Sequence, residues 1–204
     1  MRLFIAVPLA DDVTSRLIRQ RDDALRGLEP SVQRAVQPVR PEAMHLTLAF
    51  LGDVEERHTA AIAEQLRRAC DGTPRLALHA EGLGCFPNER QPRVLWAGVK
   101  GDVASLAHLQ KDVVSRIAKF CPALDRKPFK PHLTLARFRS ERTPGGQSSG
   151  RDAFAPLQKA LEAARGQTFA SWTTHEVLLM HSELSPGGAR HRILVKVALG
   201  THHE

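Results

Sequence analysis

The chain has 204 residues, 42% of them hydrophobic and 25% charged, with a formal net charge of +7. That balance excludes a disordered chain, and no apolar run approaches the roughly 18 residues that cross a bilayer. The three cysteines, Cys70, Cys85 and Cys121, are odd in number and widely spaced, which speaks against a disulfide framework or structural zinc and for buried free thiols.

Residues 2–8 read as a first strand and not a signal peptide, because the apolar part is short and acidic residues follow at once. The protein is therefore expected in the cytoplasm. Asp11 is the expected N-cap of a helix whose apolar positions are Val13, Leu17, Ile18, Ala24, Leu25 and Leu28. Pro30, Pro38 and Pro41 predict an extended connection to a strand at 44–51, ended by Gly52-Asp53. A helix over 56–70, with Ile62, Ala63, Leu66 and Ala69 on one face, stops at Asp71-Gly72-Thr73-Pro74. A strand at 75–83, a loop at 84–92 and a strand at 93–99 follow. Asp102 is placed to cap a helix with Leu106, Leu109, Val113 and Ile117 on its buried side. A Pro-broken stretch then leads to a strand at 132–138, a Ser/Gly/Arg-rich mobile loop at 140–151 and a short helix at 156–164. Strands at 172–181 and 191–198 flank the turn Ser185-Pro186-Gly187-Gly188, and residues 200–204 read as a disordered polar tail.

This mixed order of strands and helices contains a repeat. Leu3-Phe4-Ile5-Ala6-Val7, a helix and a Pro-broken linker lead to His45-Leu46-Thr47-Leu48-Ala49. Val94-Leu95-Trp96-Ala97-Gly98-Val99, a helix and a Pro-broken linker lead to His132-Leu133-Thr134-Leu135-Ala136. Each half is too small to bury both faces of its sheet, so residues 1–204 are expected to form one two-lobed, pseudo-symmetric domain.

In a strand, residues i and i+2 share a face. His45 and Thr47 therefore project together, as do His132 and Thr134, with the leucines packed behind. Two opposed imidazoles suit in-line displacement at phosphorus. One takes a proton from water and the other gives one to the leaving oxygen, and an ordinary imidazole pKa near 6.5 allows one ring to be neutral and one cationic. Threonine hydroxyls can donate to the non-bridging oxygens as charge builds there. This scheme requires no metal, and the ten histidines show no ligand spacing. His58, His79, His108, His175, His181 and His191 lack a repeated partner and read as surface or packing residues. From Arg126 to Arg151, seven basic residues (Arg126, Lys127, Lys130, Arg137, Arg139, Arg142, Arg151) face only Glu141, which suits an anionic partner.

Five segments carry a resemblance: Arg2–Ala6, Val39–Gly52, Pro92–Trp96, Pro128–Arg137 and Ser182–Arg190. In them the chain resembles the RNA 2′,3′-cyclic phosphodiesterases of the ThpR/LigT type, within the 2H phosphoesterase superfamily. The resemblance implies an α+β fold of two lobes, each a mostly antiparallel sheet with helices on its outer face, around a central cleft. It implies hydrolysis of RNA 2′,3′-cyclic phosphate ends to 2′-phosphates, with 2′–5′ joining of RNA ends as a related reaction. It implies His45 as general acid and His132 as general base, with Thr47 and Thr134 on the phosphate and no cofactor. The implied partner is RNA with a cyclic phosphate end, tRNA-like fragments included, met by a monomer with no membrane and no obligate protein partner. Local charge agrees weakly with these roles: Lys130, Arg137 and Arg139 crowd His132, whereas Glu42 precedes His45. Arg137 is also expected at the phosphate, although strict alternation turns it to the other face unless the strand bulges first. Two positions depart from the family pattern, Pro38 where an aromatic is common and His191 where Tyr is frequent. Base stacking then falls to Phe50, Phe86, Trp96, Phe129, Phe138 or an arginine plane. The competing readings are a non-catalytic nucleotide-binding module and a cyclic phosphodiesterase acting on a small nucleotide metabolite.

Overall fold

The computed structural model describes residues 1–125, 127–139, 153–185 and 188–200. β1 (Arg2–Pro8) leads into α1 (Asp11–Leu25), whose N-cap is Ala10; Asp11 is the first helical residue and not the cap. With Asp12 it sets two carboxylates against the unpaired N–H groups of the first turn, where negative charge is favoured. The stretch expected to be extended holds α2 (Pro30–Ala35) and β2 (Val36–Pro38). Pro30 starts that helix because a first turn needs no amide donor and proline's fixed φ already fits. β3 (His45–Asp53) runs past its expected end. Gly52 lies inside it at φ +71°, and a Cβ there would come 2.8 Å from that of Ala123.

A single tight turn at Glu56–His58 precedes α3 (Thr59–Cys70), so the helix starts later than expected. β4 (Leu76–Phe86) continues beyond Leu83 through a bulge near Gly82. β5 (Val94–Gly101), α4 (Val103–Ile117), β6 (His132–Phe138) and α5 (Ala155–Ala163) fall close to their expected places. Asp102 occupies the N-cap position of α4, but its carboxylate accepts from the Ala77 N–H at 2.8 Å and ties the helix to β4. The last third holds three strands where two were expected: β7 (Thr168–Thr174), β8 (Glu176–Ser185) and β9 (Gly188–Ala198). Only His175 separates β7 from β8, a break too short to read from composition. Gly200, assigned to the tail, donates its N–H to the Thr73 carbonyl at 2.8 Å. The expected loop at 140–151, the Pro186-Gly187 pair of the turn and residues 201–204 lie outside the described residues.

The strands form one sheet in the order β7-β4-β5-β6-β3-β1-β8-β9, with β2 also paired to β6. Every pairing among the described residues is antiparallel. Outward from the centre, β3-β1-β8-β9 on one side matches β6-β5-β4-β7 on the other, the pseudo-two-fold order that the repeat predicts. The two halves meet at one pair, Leu46 opposite Leu133. The helices interlock across that seam. α1 leaves β1 in the first half and packs on β6, β7 and α5, while α4 leaves β5 in the second half and packs on α3 and β3.

One apolar core lies between the sheet and these helices. It takes Leu3, Ile5 and Val7 from β1, Leu46 and Leu48 from β3, and Leu133 and Leu135 from β6, all at most 3% exposed. Burial of each such side chain contributes roughly 1.5–3 kcal/mol. Phe4, Ala6 and Leu178 are buried too but stand apart from this core. They point to the opposite, concave face, which carries the candidate site.

Candidate active site

One antiparallel step on either side of the Leu46–Leu133 pair, the register sets His45 across from Thr134 and Thr47 across from His132. The leucines drop into the core, and all four polar side chains stand half-buried on the concave face. Each imidazole therefore lies beside the hydroxyl of the other half's motif.

Both motif strands bulge at the same place. Along β1, Ile5 pairs with Ala49 and Ala6 with Thr47, so Leu48 is the extra residue. Along β5, Leu95 pairs with Ala136 and Trp96 with Thr134, so Leu135 is extra. Both strands show one succession from the histidine onward: half-buried, buried, half-buried, two buried, exposed, buried. The extra residue resets the alternation. It returns Arg137 to the face of His132 and Thr134, and it returns Phe50, the pseudo-equivalent residue, to the face of His45 and Thr47.

Each ring is held through the carbonyl two residues upstream. His132 Nδ1 lies 2.7 Å from the Lys130 oxygen, so Nδ1 carries the hydrogen and a neutral ring keeps its Nε2 lone pair free. His45 makes the corresponding backbone hydrogen bond with Ala43. The Phe4 ring sits 4.8 Å from that of His45, and His191 of β9 stands edge-on to it at 5.5 Å. On the other half the Phe86 ring meets His132 edge-on at 5.1 Å and leans on Trp96 at 5.2 Å. His191, read from sequence as a surface or packing residue, thus stands against His45, and by plain alternation along β9 it shares the concave face with Ile193.

The charge argument for the two histidines does not survive. Burial pushes the His45 pKa down to about 4, and the positive charges of His191 and Arg137 push the same way, against the Ala43 hydrogen bond. Arg137, expected to bear on His132, acts across the seam on His45. His191 is lowered as well, by burial and then by Arg40, whose guanidinium donates to the Ala189 carbonyl at 2.9 Å. The buried neutral His45 has a consequence for stability. Its folded pKa lies below the unfolded value of 6.5, so its contribution is complete above pH 6.5 and is lost as pH falls toward 4. At about 1.4 kcal/mol per unit, the loss is roughly 3 kcal/mol. Urea unfolding at pH 7 and pH 4.5 is expected to show that loss in the native chain and most of it relieved in His45→Gln; parallel losses in the two proteins would refute the assignment.

Among the described residues, no group of three or more His, Cys, Asp or Glu side chains is placed to hold a metal ion, and no helix is long and apolar enough to cross a membrane. Cys70, Cys85 and Cys121 are free and buried, as expected, and lie in the core away from the seam.

The family model described as the 2′-5′ RNA ligase superfamily matches residues 18–185. The chain is 37% identical over 134 residues, 66% of its length, to an RNA 2′,3′-cyclic phosphodiesterase of Geobacillus stearothermophilus, and spans 41% of that relative. It is 36% identical over 137 residues, 67% of its length, to the protein of the same name in Archaeoglobus fulgidus, and spans 72% of it. Among solved structures, E. coli LigT complexed with 3′-AMP superposes with a TM-score of 0.72 at 26% identity, covering 98% of both chains.

Proposed function

The chain belongs to the 2′-5′ RNA ligase superfamily, and from that premise we propose that it hydrolyses the 2′,3′-cyclic phosphate at an RNA end to a 2′-phosphate. The observation that carries this reading is the pairing at the seam, which sets two imidazoles and two hydroxyls around one spot. Water attacks phosphorus from the His132 side while Nε2 of His132 takes its proton. The bond from phosphorus to the 3′ oxygen breaks, and His45 gives that oxygen its proton. Thr47 and Thr134 donate to the non-bridging oxygens, and Arg137 neutralises the charge that gathers on them. An RNA 5′-hydroxyl in place of water joins two ends through a 2′–5′ linkage by the same step.

Burial leaves His45 neutral at ordinary pH, so it has to take up a proton from solvent as the substrate binds. The phosphodiester anion supplies the reason: it offsets the positive charges of Arg137 and His191 and raises the His45 pKa on binding. One chain carries both halves of the site, so a monomer suffices, and cytoplasmic RNA ends, tRNA-like fragments among them, are its substrates.

These groups cover both proton transfers and both non-bridging oxygens, so hydrolysis is expected to proceed in excess EDTA at the rate seen without it. The test is product analysis on an oligonucleotide with a 2′,3′-cyclic phosphate end, with and without chelator. A 2′-phosphate in both arms supports the reading. A 3′-phosphate, no product, or activity lost to EDTA and restored by a divalent ion overturns it.

A further inference from the structure

The pseudo-symmetry breaks beside the reacting centre. At matching steps beyond the two histidines, the second half carries Arg137 and Arg139, and the first half carries Phe50 and Gly52. The second half also has an added strand. β2 lies along β6 with Gln37 opposite Arg137, and the segment between α4 and β6 holds no counterpart of it among the described residues.

That added strand holds Arg139 by its backbone and by its side chain. The Arg139 N–H donates to the Ala35 carbonyl at 2.8 Å, where α2 meets β2. Gln37, with its amide oxygen turned to Arg139, accepts from Nε at 2.7 Å and from Nη2 at 2.6 Å. Directly paired residues share a face, so Gln37 stands with Arg137 on the concave side and draws the Arg139 guanidinium there. All three side chains are exposed. Gln37 takes one edge of the guanidinium and so fixes its plane. The edge between the two Nη atoms is the one that meets a phosphate with two parallel bonds. A long cation held in one plane before its ligand arrives loses less freedom on binding.

We infer that Arg139, oriented by Gln37, is the subsite for the first phosphate of the RNA strand that brings the attacking 5′-hydroxyl in 2′–5′ joining. The inference rests on the reading above, in which that hydroxyl takes the place of water on the His132 side, and deepens it by naming what holds the second strand. Arg137 meets the reacting phosphate. Arg139 lies two residues further out, about 7 Å along a strand, close to the step between neighbouring phosphates of an extended nucleic-acid chain. A nucleoside whose 5′ oxygen faces phosphorus beside His132 therefore reaches Arg139 with its 3′-phosphate. The donor strand lies on the opposite side of phosphorus with the departing 3′ oxygen, where Phe50 and Gly52 carry no charge. Water has no phosphate to hold, so hydrolysis needs none of this; β2 gives a strand with a 5′-hydroxyl a grip at the point of attack.

The test measures binding of adenylyl-(2′→5′)-adenosine, the joined product in its shortest form, beside the same dinucleotide carrying a 3′-phosphate on its second adenosine or a 5′-phosphate on its first. The 3′-phosphate is expected to tighten binding to the native protein by about tenfold or more. Arg139→Gln is expected to erase that gain. Gln37→Ala keeps the charge and removes its orientation, and is expected to reduce the gain several-fold. A 3′-phosphate that adds nothing to the native affinity, or a gain that Arg139→Gln or Gln37→Ala leaves in place, would overturn the subsite. So would a gain from the 5′-phosphate that Arg139→Gln erases, because the cation would then serve the donor strand. Should the native protein fail to hydrolyse a cyclic phosphate, the function proposed above falls, while these affinities still decide whether Arg139 reads that phosphate.

Discussion

His132→Ala is expected to lower turnover of an RNA 2′,3′-cyclic phosphate by about 10²–10⁴, and His45→Ala by a similar factor, since each removes one of two proton transfers in a single displacement. The two losses should not multiply. Once one transfer is missing the step no longer runs in concert, so the double variant should fall little below the worse single one. Neither change threatens the fold, because both rings stand half-buried on the concave face while Leu46 and Leu133 hold the seam from the core side. The check is turnover of each soluble variant beside its urea midpoint. Native-like activity in either stably folded variant would remove the two-histidine mechanism.

The roles separate with a different substrate. A nucleoside 2′-phosphate diester with a nitrophenol in the leaving position needs no proton on departure. His45→Ala is expected to regain most of the lost rate on it, approaching the native protein, while His132→Ala stays impaired by about 10²–10⁴ because water must still be deprotonated. The reverse pattern would exchange the two assignments.

Much of this arrangement was legible in the letters. Two copies of His-Leu-Thr-Leu-Ala, each reached from an apolar strand through a helix and a Pro-broken linker, require paired strands with leucines inward. The structure supplies that pairing at Leu46 and Leu133. What the letters hide is the count of residues between pairings. Leu48-Ala49 and Leu135-Ala136 look like continued alternation, yet each pair spans one partner step, and that decides which way Phe50 and Arg137 point. Long-range neighbours were hidden for a related reason. His191 and Arg137 reach His45 from β9 and β6, and nothing near residue 45 announces them. Pro30 misled because proline both breaks chains and starts helices, and only the burial of Val32 decides between the two.

The interlocked helices bear on how the chain is made. α1 leaves a ribosome long before its packing partners α5 and β7, which span residues 155–174, and β1 waits for β8 at 176–185. Neither half of the repeat can finish its core while the other is missing, so the emerging chain holds exposed strand edges until β8 and β9 are made. Contacts of such long sequence separation are slow to form. The duplicated half that makes the site thereby ties its assembly to the synthesis of β8, and a chain stalled before β8 carries His45 and His132 in a sheet whose first half is still unfinished.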